Sequence, residues 1–223
     1  MNVVFLFDVD NTLLDNDRIR ADFEAHLLAA YGEAMRDAYW TIQERRFAEL
    51  GFRDYLGALQ RYRDARPRDL RILVVSHYLV SYPFANRLYP GSLDALDHCA
   101  TMGQTAILSD GDVVFQPRKV RRSGLYDMVD GRVLIYIHKE HELDDVEERF
   151  PADHYVLVDD KVRILAAVKA AWGRRVTTVW PRQGHYALDV ADVARYPSPD
   201  LTIERIGDLV EHHRDRLVAA AGG

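Results

Sequence analysis

The chain carries one cysteine, Cys99, in 223 residues. A lone thiol excludes a framework of internal disulfides and suits a reducing compartment. No apolar run is long enough to cross a bilayer, and no signal-like stretch opens the chain, where acids begin at Asp8. Positive charge is also short: Lys and Arg number 29 against 35 Asp and Glu, a formal net charge of −6. Nucleic-acid binders usually present a basic face, so neither nucleic acid nor a membrane is expected as a partner. A phosphate-binding P-loop, a dinucleotide glycine fingerprint, internal repeats and low-complexity segments are all missing. What remains has the make-up of a globular, most simply cytoplasmic protein, 48% hydrophobic and 29% charged. Its length allows one large domain or a domain with a substantial insertion. Whether it is a monomer or a homodimer is not legible in it.

The organising stretch is the first one. Val3 to Phe7 is a continuous run of β-branched and aromatic residues, which predicts a strand buried on both faces of a parallel sheet. The run stops at Asp8, and Asp10, Asn11 and Thr12 follow. In open α/β sheets ligands bind outside the carboxyl ends of strands. An acid at such a place needs a partner or a chemical task.

From Arg18 the period changes. Phe23, Leu27, Leu28 and Tyr31 recur at helical spacing, and further helical stretches run over Ala38 to Leu50 and Phe52 to Arg66. Arg68 to Tyr82 stays open between a strand, on its Ile-Leu-Val-Val-Ser run, and a buried helix. Pro83, Pro90 and Gly91 mark a return crossing. Residues 15–85 therefore read as a mostly helical insertion between 1–14 and 86–223.

Beyond Ser92, strands and helices alternate. A short helix ends near Gly103, and Gln104 to Leu108 is a strand finishing at Ser109 and Asp110. Pro117 opens a helix that Gly124 closes. Arg132 to His138 is a strand, Leu143 to Phe150 a helix, and His154 to Val158 a strand ending in Asp159, Asp160 and Lys161. A helix to about Trp172 and a strand over Val176 to Trp180 follow. The tail from Ile203 to Ala221 reads as a terminal helix with a frayed, Ala/Gly-rich end. The alternation predicts an α/β fold with a doubly wound, Rossmann-like parallel sheet core.

Three predicted strands thus end in polar residues at one sheet edge: Asp8 and Asp10, Ser109, and Asp159 and Asp160. Carboxylates crowded together repel and raise one another's pKa. A hard divalent cation relieves this, and oxygen-only ligation suits Mg²⁺. One carboxylate free to attack and one free to move a proton would make a covalent-catalysis site. The plainer alternatives are acids capping the next helix, a loop hydroxyl at Ser109 and a simple turn at Asp159-Asp160.

The string Asp8-Val9-Asp10-Asn11-Thr12-Leu13 after an apolar strand resembles the first signature of the haloacid-dehalogenase-like hydrolase superfamily. Tyr89-Pro90-Gly91, a helix and then Ile107 to Asp112 are similar to the second signature. Ser123 to Glu140 is similar to the region that supplies the family's lysine, and Val156 to Lys161 to its acidic fourth signature. The resemblance spans Met1 to about Trp180, with the helical insertion at the position of the family's helical cap.

The resemblance implies an Mg²⁺-dependent phosphatase acting on a small phosphorylated metabolite through an aspartyl-phosphate. Asp8 would attack phosphorus, and Asp10 would protonate the leaving alcohol and then deprotonate the water. Thr12, Ser109, Asp110 and Lys139 would hold the phosphoryl group. Mg²⁺ would be held by Asp8, the backbone carbonyl of Asp10, and Asp159, with Asp160 close behind. Arg163 and Ile164 stand where family members often carry a further acid, which leaves the ligand open between Asp159 and Asp160. Lys119 rivals Lys139, but it falls on a predicted helix. Related reactions are 2-haloacid dehalogenation, which needs neither a metal nor an acid at position 10, and phosphomutation. A phospho-ligand-binding protein with a weakened site is a further alternative, supported only by Arg163. Arg53, Tyr55 and Arg61 are candidate cap contacts with substrate.

Overall fold

The computed structural model describes residues 1–221. Its first strand, β1 (Val3–Phe7), is buried along its whole length. Alternate side chains of a strand point to opposite faces. Val3, Phe5 and Phe7 accordingly enter one hydrophobic cluster, and Val4 and Leu6 enter another on the opposite face. Burying each such large side chain contributes roughly 1.5–3 kcal/mol, so β1 is the staple between two core layers.

Four helices follow β1: α1 (Asn16–Tyr31), α2 (Glu33–Leu50), α3 (Tyr55–Ala65) and α4 (Arg71–Ser81). Asp15 caps α1 by accepting the Arg18 N–H at 2.8 Å, and Asp54 caps α3 by accepting that of Gly57 at 2.7 Å. The Ile-Leu-Val-Val-Ser run belongs to α4, so the helix alternative holds there. Ile72, Val75 and Leu79 face inward at helical spacing while Leu73 and Val74 remain exposed. The four helices share an aromatic interior, in which Phe23 meets Tyr39 edge-on at 5.1 Å. That interior is continuous with the sheet cluster holding Phe5 and Phe7.

The alternating part then runs α5 (Ser92–Ala100), β2 (Gln104–Asp110), α6 (Phe115–Arg122), α7 (Leu125–Met128), β3 (Val133–Tyr136), α8 (Leu143–Arg149) and β4 (His154–Val158). It closes with α9 (Val162–Trp172), β5 (Val176–Pro181), α10 (His185–Leu188), α11 (Val190–Val193), β6 (Leu201–Ile203) and α12 (Arg214–Ala220). The strands form one parallel sheet in the order β3-β2-β1-β4-β5-β6. This is a Rossmann-like α/β fold. Phe7 pairs with Ile107 on one side and with Val158 on the other. The residues that follow these strands therefore emerge side by side.

Two expectations need correcting. Helix α6 opens at Phe115 rather than Pro117, because the Asp112 carboxylate accepts the N–H groups of Val114 and Phe115 at 2.8 and 2.6 Å. Pro117 sits within the first turn, where a missing N–H costs nothing. The tail is not one helix either. It holds β6, a 3₁₀ turn over Ile206–Glu211 and α12. The Asp200 carboxylate anchors β6 to the sheet by accepting the Thr178 N–H and hydroxyl at 2.8 and 2.9 Å. Of the expected frayed end, Gly222 and Gly223 lie outside the described residues. Among those described, no helix is long and apolar enough to cross a membrane.

Candidate active site

The loop after β1 is wound tightly around one carbonyl. Val9 O accepts the N–H groups of Thr12, Leu13 and Leu14 at 3.3, 3.0 and 2.9 Å. Asn11 takes a left-handed conformation at φ 60°, which asparagine tolerates. Its side-chain oxygen accepts the N–H groups of Asn16 and Asp17 at 3.0 and 3.2 Å, tying the loop to the start of α1. Asp8 and Asp10 are thereby fixed against a small cavity of about 60 Å³.

Each of these acids meets its own lysine. Lys139, on a 3₁₀ turn after β3, places Nζ 2.6 Å from Asp8 Oδ1 and 2.6 Å from Asp159 Oδ2. Lys119, on α6, donates to both oxygens of Asp10 at 2.7 and 2.8 Å and to Asn16 Oδ1 at 3.1 Å. Both lysines are buried. The choice between them posed by the sequence therefore dissolves: the fold brings both to the site, at different carboxylates.

Ser109, near the end of β2, donates its hydroxyl to Asp8 Oδ1 at 3.1 Å and accepts from Gln116 Nε2 at 3.1 Å. Asp110 lines the cavity, but its carboxylate accepts the Lys139 N–H at 2.8 Å. That bond seats the lysine, and a carboxylate repels a phosphoryl group, so Asp110 is placed to position Lys139 rather than to bind phosphate. Thr12 departs from expectation in a similar way. It is fully buried, its hydroxyl donating to Asp8 Oδ2 at 3.4 Å and accepting the Asp160 N–H at 3.0 Å. It braces two loops instead of facing the cavity.

The carboxylates of Asp8, Asp159 and Asp160 come together, each offering an oxygen within 4.8 Å of the others. Asp159 and Asp160 are completely buried, and neither carboxylate oxygen of Asp160 has a hydrogen-bond partner. Burial pushes the Asp159 carboxyl up to about 6, against the pull of Lys139, and pushes Asp160 well above the usual carboxylate range. At Asp8 burial works upward too, but the Lys139 and Lys161 ammonium groups outweigh it and hold the carboxyl below its ordinary value. Charged oxygens left bare in a dry interior are costly. An oxygen-only set of this kind fits a hard divalent cation. The Asp10 side chain, committed to Lys119, stands outside the triad.

Of the candidate cap contacts, Arg53 lines the cavity together with Phe47 and Phe52. Tyr55 is buried against Phe115 at 5.3 Å between ring centres, and Arg61 is exposed. Gln116, Lys161, His185 and Tyr186 also line the cavity, and sequence reasoning missed them. Gln116 stands one helical turn before Lys119, and Lys161 directly follows the Asp159-Asp160 pair. His185 and Tyr186 follow β5, so the strand-end rule extended to that strand points to them. Their loop is pinned by Gly184 (φ +74°), where a Cβ would lie 2.6 Å from that of Asn11. Cys99 lies in the hydrophobic core and does not line the cavity, and burial pushes its thiol up to about 12.

The parallel sheet order, the helices inserted after the first strand and the buried carboxylates at the sheet edge define a class of α/β hydrolase. The chain belongs to the haloacid dehalogenase-like hydrolase family, whose model matches residues 3–171. It is similar to a haloacid dehalogenase-like hydrolase of Burkholderia xenovorans LB400, with 60% identity and a TM-score of 0.93 over 97% of this chain and 98% of the other. L-2-haloacid dehalogenase from Xanthobacter autotrophicus shares the fold at 19% identity and a TM-score of 0.62, covering 95% and 98% of the two chains. The magnesium-bound HAD-hydrolase YfnB of Bacillus subtilis does so at 17% identity and 0.61, covering 94% and 97%. No curated protein matches the chain.

Proposed function

We propose that the protein is a cytoplasmic, Mg²⁺-dependent phosphatase that hydrolyses a small phosphorylated metabolite through an aspartyl-phosphate on Asp8. One observation carries the choice of phosphate over halide. Asp10, two residues past Asp8, has both carboxylate oxygens held at the cavity wall by Lys119, whose ammonium also donates to Asn16. An alkoxide leaving group needs a proton, whereas a halide leaves without one, so a held acid at this position serves ester cleavage.

In the first step an Asp8 oxygen bonds to phosphorus, the ester P–O bond breaks, and Asp10 gives its proton to the departing alcohol oxygen. In the second, Asp10 takes a proton from water as that water's oxygen bonds to phosphorus and the acyl phosphate bond breaks, releasing phosphate and Asp8. Ser109 and Lys139, both beside Asp8, hold the phosphoryl oxygens. Asp8, Asp159 and Asp160, with the backbone carbonyl of Asp10, would hold Mg²⁺, which supplies charge neutralisation between the nucleophile and the phosphoryl group. The bare oxygens of Asp160 support that ligand set. Residues 15–85 form the cap that brings Phe47, Phe52 and Arg53 over the reacting atoms and shields them from water. Arg163 is no sign of a weakened site, because its guanidinium pairs with Glu140 at 2.5 Å and leaves the acids alone.

The test is hydrolysis of p-nitrophenyl phosphate with Mg²⁺, with EDTA and in Asp8→Asn, beside chloride release from 2-chloropropionate. Activity is expected only on the phosphate ester, with the metal and with Asp8 intact. Hydrolysis that survives EDTA or Asp8→Asn, or chloride release in place of it, defeats the reading.

A further inference from the structure

The cavity at Asp8 does not end at the catalytic acids. It adjoins a second cavity of about 170 Å³ between the end of α2 and the loops after β4 and β5. Phe47, Gly51, Lys161 and Tyr186 line both. None of Asp8, Asp10, Asp159 or Asp160 lines the second one, so it is room for the part of a substrate that does not react.

Most charges on these walls are already answered. Arg53 pairs with Glu44 at 3.0 Å, Arg163 with Glu140 at 2.5 Å, His185 with Asp17 at 2.6 Å, and Asp192 with Arg195 at 3.4 Å. Lys119 and Lys139 are taken by Asp10 and by Asp8 with Asp159. Among the described residues, Lys161 is the lining cation left with no ion-pair partner. Its Nζ lies 5.3 Å from the centre of the Tyr186 ring, on the wall shared by the two cavities. Asp160, Asp8 and Asp159 act on this ammonium only from beyond ion-pair distance. Bonded to no carboxylate and set against aromatic surface where the two cavities meet, it is placed to receive a negative charge on the leaving group.

We propose that Lys161 binds a second anionic group, a carboxylate or a second phosphate, on the alcohol portion of the substrate, with Phe47 and Tyr186 flanking the carbon chain between the two charges. The natural substrate is then a small, doubly anionic phosphate ester. This deepens the phosphatase reading and rests on it for the identity of the reacting group.

The experiment compares esters that differ only in the second charge. One pair is 3-phosphoglycerate and glycerol 3-phosphate; the other is propane-1,3-diol bisphosphate and the corresponding monophosphate. kcat/KM is measured for the wild type, Lys161→Met and Lys161→Arg, and Kd by calorimetry in an Asp8→Asn background that does not depend on turnover. The wild type is expected to favour the doubly charged member of one pair by about tenfold or more, the worth of one charge-assisted hydrogen bond. The pair showing the preference tells carboxylate from phosphate. Lys161→Met brings the ratio close to one, and Lys161→Arg restores most of it. A wild-type ratio near one in both pairs overturns the proposal. So does a Lys161→Met loss that is equal for both members, because that puts Lys161 on the transferred phosphoryl group or in folding. If no ester is hydrolysed yet the Lys161-dependent Kd preference persists, the phosphatase reading falls and the anion site stands.

Discussion

Lys119 Nζ sits 2.7 and 2.8 Å from the two carboxylate oxygens of Asp10, although 109 residues separate them. The pair is asymmetric, since Lys119 is almost wholly buried while the Asp10 side chain is 29% exposed to the cavity. The lysine is thus the buried anchor of the pair, and the acid is the end that substrate can reach. Replacing Lys119 with Met is expected to lower kcat for an aryl phosphate by about 10²-fold, within the range lost with a general acid. KM should change much less. Lys119→Arg should recover part of kcat, and equal losses in kcat and thermal stability for both variants would mark the lysine as merely structural.

Lys139 bridges Asp8 and Asp159 at 2.6 Å to each. Removing it leaves two buried carboxylates without a counter-charge. Lys139→Met should therefore cost on the order of 3–5 kcal/mol in urea unfolding with EDTA present. Magnesium should return a larger share of stability to this variant than to the wild type, because it supplies the missing positive charge. A loss below about 1 kcal/mol would contradict that account.

Burial raises Asp159 to about 6 from an unfolded value of 3.8, and raises Asp160 in the same direction. The folded state then holds these protons more tightly than the unfolded chain does. Their contribution to stability is complete below the unfolded value and is lost as pH rises through about 6. Asp8, lowered, behaves oppositely and loses its contribution only in stronger acid. Metal-free protein should accordingly show a falling Tm between about pH 5 and pH 7.5. Magnesium, which favours the ionised carboxylates, should raise Tm more at the upper pH than at the lower. Scanning fluorimetry with EDTA and with MgCl₂ reads both trends, and a magnesium effect larger at the lower pH would refute them.

Thr12 offers a test that leaves every charge in place. Its hydroxyl joins Asp8 to the backbone of Asp160. Thr12→Val keeps the shape but strands a buried N–H, which should cost about 1–3 kcal/mol. It should also weaken magnesium binding measured by calorimetry, because the Asp160 loop loses its anchor. Unchanged magnesium affinity alongside lost stability would confine Thr12 to folding.

The strand-end acids were legible because a fully buried strand that stops at an aspartate is a local signal, readable without its partners. The same holds for Ser109 after β2 and Asp159-Asp160 after β4. Segment α4 was ambiguous because a short apolar run carries too little period to separate a strand from a buried helix. β6 was missed because three residues, one of them exposed, show no alternation, and its anchor Asp200 acts on Thr178 in another strand. The two lysines looked like rivals because sequence distance says nothing about which carboxylate each will meet. Thr12 and Asp110 are polar residues whose partners are backbone N–H groups, and such pairings leave no trace in residue type.

The parallel sheet has a consequence in time. Asp8 meets Lys139 only across 131 residues. At roughly 5–20 residues per second of synthesis, the aspartate leaves the ribosome on the order of ten seconds before its lysine exists. A nascent chain ending within the helical insertion carries Asp8 without Lys139, Ser109 or the two acids that follow β4. On the mechanism proposed above, Asp8 has neither its counter-charge nor its fellow metal ligands until the central strands have paired, so a half-made chain is expected to be inactive.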